Sequence, residues 1–480
     1  MLSTLITGGT ILTMDPDRKT IDSGAVLVEG ERITSVGPAS ELEDRYPDAI
    51  RFKAVGKIVM PGLINSHVHA AQILLRGGPS QDQAHLEWLV NVLYPGIQAY
   101  DEEAMRIAYV LFCVEAIGSG TTTVVDNAIW GERDDMTRIA LDTLKTVGIR
   151  AVYARMFTDT PAPDQERLVK IMQLKEPKVR KANFPREETE QVLVSIEDLM
   201  RKYNDVEPGL LQVWPAPGIP LFVSPPGLAG ALELSRKFNT LFTIHLAETQ
   251  ATSGYDGISV VEYLAAVGAL DARLLAAHCV WVNDRDLRLM QQHDVKVAHN
   301  VVSNMFLGSG IAPVSKMVDL GISVGLGTDD VNCNNSANMF SDMKFAALAQ
   351  KAKQLDAAAI TAERVLEMAT IEGAKAIGMQ AEIGSIEPGK QADLVILNAD
   401  LPHLAPCYHI PSTLVYQARG SEVEAVMVNG AWLVQDQQPL FLERFSLGNL
   451  REAAQQASVR VLQRAGMDHM RNRGWLRSIG

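Results

Sequence analysis

Cysteine is scarce in this 480-residue chain, with only Cys113, Cys279, Cys333 and Cys407, all far apart and none in a CxxC pair. That usage excludes a disulfide scaffold or a zinc ribbon and is expected of reduced thiols in a cytoplasm. Long hydrophobic runs are also missing. No segment approaches the roughly 20 apolar residues needed to cross a bilayer. "MLSTLITGGTILTMDPD" has no basic stretch ahead of an apolar one, so neither a membrane anchor nor a signal peptide is expected. Positive charge is in deficit, since 44 Lys and Arg face 57 Asp and Glu for a formal net charge of −13. Nucleic-acid affinity depends on clustered cations that neutralise phosphates, so a nucleic-acid partner is excluded and a small neutral or cationic substrate fits better. No GxGxxG follows an early strand-like run, which leaves an open dinucleotide-binding sheet without support.

What is present is an ordinary globular composition, 47% hydrophobic and 21% charged, enough to bury a large core. The first sixty residues read as short β pieces, "STLITGGTILTM", "GAVLVEGERITSVG" and "AIRFKAVGKIVM", resembling hairpins broken by glycine-containing turns. The same texture returns in "GKQADLVILN" and "EVEAVMVNGAWLVQD", and "LREAAQQASVRVLQRAG" has the apolar spacing of a helix. Between them lie eight apolar runs, each followed by polar residues and then helix-like sequence: "VMPGLINSH", "TTTVVDN", "RAVYARMF", "LLQVWPAP", "LFTIHLAE", "LLAAHCVW", "VKVAHNVVSN" and "SVGLGTDD". Alternating strand and helix at this length predicts an α/β chain with a (β/α)8 TIM barrel over 59–385. A small β-sandwich domain is then assembled from both chain ends, 1–58 and 386–480, the latter including the C-terminal helix. The charged stretch 173–191 mixes acids with bases and reads as a solvated connection.

His67 and His69 end the first of these runs. On a strand, residues i and i+2 face the same side, so the two imidazoles project together, whereas on a helix they would diverge by about 200°. His245 and Glu248 end run five, His278 ends run six, and Asp329 and Asp330 end run eight. In a barrel these strand ends share one mouth. Four imidazoles and a carboxylate suit one borderline divalent ion, Zn²⁺ or Fe²⁺, better than Mg²⁺ or Ca²⁺, which prefer all-oxygen shells. A catalytic ion of this kind lowers the pKa of bound water to about 7, so hydrolysis is the expected reaction.

The order HxH, His, His, Asp, set in "PGLINSHVHAAQILLRGG", "HLAET", "AHCV", "SNMFLGSGIAPV", "GTDDVNCNNSANMFSDMK" and "IGSIEPGKQADLVILN", resembles the amidohydrolase superfamily over almost the whole chain. The branch it is similar to acts on cyclic amidines and includes s-triazine hydrolases and methylthioadenosine/S-adenosylhomocysteine deaminases. The resemblance implies one metal surrounded by His67, His69, His245, His278 and Asp329, with His278 and Asp329 also in catalytic contact and Glu248 as proton carrier. A carboxyl beside the metal can take a proton from water and deliver it to a ring nitrogen. The resemblance also implies an even-numbered homo-oligomer.

An amine leaves well only after protonation, whereas chloride departs as a stable anion, so a deaminase needs a further acid near the exocyclic nitrogen. Asp330 can supply it. In the triazine branch, deaminating members resemble "TDD" followed by Cys three residues on, as Asp330 and Cys333 are here, whereas the dechlorinating type has Asn and Ser. The expectation is deamination of an amino-substituted N-heterocycle such as melamine. Chlorotriazine dechlorination and methylthioadenosine/S-adenosylhomocysteine- or guanine-type purine deamination are the alternatives, and His299-Asn300 resembles the adenosine-deaminating members. In the loop after strand one, "HLEWLVNVLYPG" sets His85, Trp88 and Tyr94 where an aromatic can stack on a flat ring. Gln72 and Asn304 are candidate donors to ring nitrogens.

Overall fold

A computed structural model describes residues 3–128, 133–161, 186–204, 209–255 and 257–472, together with 166, 169 and 170. Each of the eight apolar runs contains a strand: β1 Leu63–His69, β2 Thr121–Ala128, β3 Arg150–Phe157, β4 Leu211–Pro217, β5 Phe242–Leu246, β6 Leu274–His278, β7 Lys296–His299 and β8 Val324–Leu326. They form two parallel sheets, one ordered β1-β2-β3-β4 with the two-residue strand Asp329–Asp330 outside β1, the other β5-β6-β7-β8. The sheets adjoin at both margins. β4 runs beside β5, where the His245 N–H donates to the Gly218 carbonyl at 3.0 Å, and β8 lies beside β1.

Helices fill the connections, among them Glu102–Gly118 between β1 and β2, Asp134–Val147 between β2 and β3, and Asp284–Gln292 between β6 and β7. Strands covered on both faces lose the in-out alternation of a half-exposed sheet, which is why β1, β2 and β3 are buried at every residue. Most of the stretch 173–191 lies outside the described residues, which resume at 186.

A short antiparallel pair, Gly254–Tyr255 with Ile258–Ser259, stands apart, and the other strands make one nine-stranded sheet drawn from both chain ends. Its join is the antiparallel pair Lys57–Pro61 and Leu394–Asn398, with Val59 opposite Ile396. Alternate residues supply its two faces: Ile6, Val26 and Val28 pack with Ile396 and Met427 on one side, while Leu5, Ala25 and Leu27 pack with Leu42 on the other. The Gly8-Gly9 pair is not a hairpin turn. Ser3–Leu12 runs through it as a single strand with irregular register on either side of Gly9, and Gly8 takes φ +87°. A side chain at Gly9 would meet the Ala54 carbonyl oxygen at 2.9 Å, so the pair serves close backbone approach rather than reversal. The helix Leu450–Arg464 buries Ala454, Ala457 and Val461, packing against Glu102–Gly118.

Candidate metal centre and active site

The carboxyl-terminal ends of the parallel strands carry the polar cluster. His67 and His69 leave β1 on the same side, their ring centroids 5.0 Å apart. The His245 ring on β5 lies 4.9 Å from that of His67, and the His278 ring at the end of β6 lies 5.3 Å from that of His245. Asp329, just past β8, places Oδ1 3.1 Å from His67 Nε2 and 3.5 Å from His69 Nε2, and Oδ2 3.8 Å from His278 Nδ1. Residues spread over more than 260 positions thus meet at one centre, the separation from His67 to Asp329 being 329 − 67 = 262. His278 and Asp329 adopt left-handed backbone at φ 73° and 63°. Such conformations cost side-chain-bearing residues on the order of 1 kcal/mol and collect at functional sites.

The lone pairs point to a missing positive charge. The Nδ1–H of His69 donates to the Asn127 carbonyl, and His245 Nδ1 faces the Gly218 carbonyl at 3.2 Å. These bonds hold each proton on Nδ1, so each Nε2 carries a bare lone pair. Yet the two Nε2 atoms face each other at 3.2 Å. Two acceptors at that distance repel unless a cation lies between them. His278 Nδ1 is 2.9 Å from Asn304 Oδ1, and its Nε2 has no hydrogen-bond partner. Both carboxyl oxygens of Asp329 are buried and unbonded, an arrangement proteins rarely tolerate without a counter-ion. The ligand atoms of His67, His69 and His245 lie within 4.8 Å of one another, as do those of His67, His278 and Asp329. The donor set therefore fits a borderline divalent ion.

His67 differs in one respect, because the Asn127 amide nitrogen faces its Nδ1 at 2.9 Å while Asn127 Oδ1 lacks a partner. The opposite amide orientation lets Oδ1 accept from Nδ1–H and frees Nε2 for a cation.

Burial, reinforced by the neighbouring His67, pushes His69 down to about 4, and burial lowers His67 and His245 as well. His67, His69 and His245 are therefore neutral at pH 7, as metal ligation requires. Burial alone would raise Asp329, but His278 and His67 hold it well below the usual carboxylate range. Asp330 goes the other way: burial, then the charges of Asp329 and Glu248, push it well above.

Glu248 Oε2 lies 3.1 Å from His85 Nε2 and 3.8 Å from His278 Nε2. Against the upward effect of burial, His278 and His85 keep this carboxyl below its ordinary value, hence ionised. Beside it opens a cavity. Gln72, His85, Glu248 and Asp330 form its polar end, and Trp88, Leu93, Met156, Ile219 and Phe222 its apolar walls. Of the residues anticipated as substrate contacts, Gln72, Trp88 and Asp330 lie on this wall. Asn304 does not; it stands behind His278. Cys333 is buried, with Sγ 3.8 Å from Asn332 Oδ1.

Three supporting residues escaped the sequence reading. His85 was placed on the loop without a role of its own. Asn127 braces both HxH rings, and Asn65 exchanges hydrogen bonds of 2.7 and 3.1 Å with Thr328, tying β1 to the turn before Asp329. Below that turn, both oxygens of Asp342 accept from Asn334 Nδ2, at 3.2 and 3.1 Å.

Burial raises Asp342 to about 8. Below pH 3.8 both folded and unfolded chains carry the proton. Between 3.8 and 8 only the unfolded chain ionises, so this group's contribution to stability is lost as pH rises through that window. Asp342→Asn removes the dependence. The variant is expected to gain on wild type progressively from pH 4 to pH 8, by up to about 1.4 kcal/mol per pH unit, in denaturant titrations. A difference independent of pH would show that the carboxyl ionises freely.

The Amidohydrolase family model matches residues 58–433, more than half of the chain. The chain belongs to the amidohydrolase family. This amidohydrolase is 35% identical to an S-triazine hydrolase of Gordonia rubripertincta, over 96% of this chain and 97% of the relative. It is 34% identical to a 5-methylthioadenosine/S-adenosylhomocysteine deaminase of Syntrophobacter fumaroxidans, over 91% and 94%. Among solved structures, an adenosine deaminase from Xanthomonas campestris with bound zinc superposes with a TM-score of 0.85 at 25% identity, covering 96% of this chain and 99% of that one. A shorter match, to an imidazolonepropionase-like composite domain of bacteria, spans residues 24–49. Among the described residues of this amidohydrolase, no helix is long and apolar enough to cross a membrane.

Proposed function

We propose that this amidohydrolase is a metal-dependent aminohydrolase that deaminates an amino-substituted N-heterocycle, an s-triazine such as melamine or a related ring. The observation that carries the reading is the convergence of four imidazoles on an unbonded, buried Asp329 at the polar end of a cavity with apolar walls. His67, His69, His245, His278 and Asp329 would hold one ion, Zn²⁺ or Fe²⁺. When bound, it supplies the Lewis acidity that makes water nucleophilic at neutral pH. Glu248, ionised beside His278, takes the proton from water and delivers it to a ring nitrogen. Trp88 and the aliphatic walls exclude water from the ring's faces, and Gln72 reaches its edge. The S-triazine hydrolase and deaminase relatives support this substrate class.

Asp330 separates the two leaving groups. Burial and the neighbouring carboxylates raise its pKa, which favours the protonated acid that an amine needs and chloride does not. Asp330→Asn is expected to lose at least about tenfold more kcat with an amino than with a chloro substituent on the same ring. Equal losses would remove the acid role. Ammonia, chloride and inosine-type product should be assayed separately with melamine, atrazine and S-adenosylhomocysteine. Ammonia from melamine supports the reading, chloride alone moves the chain to dehalogenation, and product only from the nucleoside moves the substrate to purines.

The same reading takes the two parallel sheets as halves of one closed (β/α)8 barrel, supported by their adjacency at both margins. It takes the nine-stranded sheet as a small β-sandwich domain, supported by the packed clusters on its two faces. It places the enzyme in the cytoplasm as a homo-oligomer, consistent with four unpaired thiols, three of them buried.

A further inference from the structure

We propose that His85 is a positioning residue for the Glu248 carboxyl, its Nε2–H holding Oε2 so that the carboxylate keeps one orientation between the metal ligands and the bound ring. The proposal rests on the reading of Glu248 as proton carrier. A carboxylate turns broadly about its terminal torsion, so a group that must receive a proton on one side and release it on another loses efficiency unless it is held.

Three observations point to His85 as the holder. Its Nε2 is 3.1 Å from Glu248 Oε2, and both side chains are 6% exposed, so the contact is made away from competing water. His85 opens the short helix His85–Trp88, whose far end is anchored by other contacts. Trp88 Nε1 donates to Ser80 Oγ at 3.2 Å, and the same oxygen accepts from Asn332 Nδ2 at 3.0 Å. The strand-one loop is thereby tied to the segment three residues past Asp329. His85 also lines the cavity with Glu248. The loop after strand one thus fixes the orientation of a carboxyl delivered by strand five, using an anchor from strand eight.

The test uses zinc-loaded full-length enzyme, with melamine or S-adenosylhomocysteine as substrate, whichever is turned over. His85→Phe is expected to lower kcat by about 10- to 100-fold, the scale of a hydrogen bond to a charged group, with KM and zinc content near wild type. His85→Gln, whose amide can reach the same oxygen, is expected to recover most of the loss. In a Glu248→Gln background, His85→Phe should cost no more than about twofold, since the group it positions is already disabled. In zinc-free protein with labelled histidine, the His85 Nε2–H resonance should be observed and should be lost in Glu248→Ala. That signal carries the proposal if His85→Phe fails to fold. Wild-type kcat in His85→Phe, an undiminished loss in the Glu248→Gln background, or a His85 Nε2 without a proton overturns it. Wild-type turnover in Glu248→Gln alone would instead overturn the proton-carrier reading.

Discussion

Alanine at Asp329 is expected to strip the protein of its metal and, with it, of measurable turnover. Both oxygens of Asp329 are buried without a hydrogen bond, and the Nε2 atoms of His67 and His69 stand 3.1 and 3.5 Å from Oδ1. Residues that merely support a ligand cost about 10–100-fold in metal affinity when removed. Losing a direct donor, the one carboxylate of the set, is expected to exceed about 100-fold. His245→Ala removes one of the two facing lone pairs and should behave alike. Elemental analysis of the purified variants, with turnover measured after zinc is restored, checks both. Stoichiometric zinc and full activity in either variant would place the centre elsewhere.

Glu248→Gln is expected to do the reverse, keeping the metal and losing about 10²- to 10⁴-fold in kcat, the range of general acid–base contributions. The carboxyl is 3.8 Å from His278 Nε2, so it stands beside the ligand set rather than in it. Glutamine preserves its volume and can still accept from His85, but it cannot shuttle a proton at neutral pH. Metal content and kcat measured on one preparation separate the two roles. Loss of metal would make Glu248 a ligand, and unchanged kcat would remove it from the chemistry.

Much of the site was legible because its signals are local. His67 and His69 are two apart in a fully buried strand, and a strand's period of two fixes their common direction before any partner is known. The eight runs each contain a strand because segments covered on both faces are largely apolar, which reads as a near-continuous run. His245, His278 and Asp329 were recognisable because each terminates such a run. The Gly8-Gly9 pair misled because a turn and a close backbone approach demand the same residue, and only the neighbour at Ala54 tells them apart.

The supporting contacts were not legible. His85 meets Glu248 across more than 160 residues, 248 − 85 = 163, from a loop with no periodicity to interpret. Asn127 reaches His67 across 60 residues, and Asn65 reaches Thr328 across 263.

Residue type and spacing along the chain were enough for the strands, the clustered histidines and the hydrolytic chemistry, since each follows from backbone periodicity and the donor atoms of single residues. Which nitrogen of each imidazole stays bare, which carboxyl is ionised and which keeps its proton depend on burial and on atoms a few ångströms away that belong to distant segments. Electrostatic energies inside a protein fall steeply with separation and water content, and chain order specifies neither, so only the folded arrangement assigns those roles.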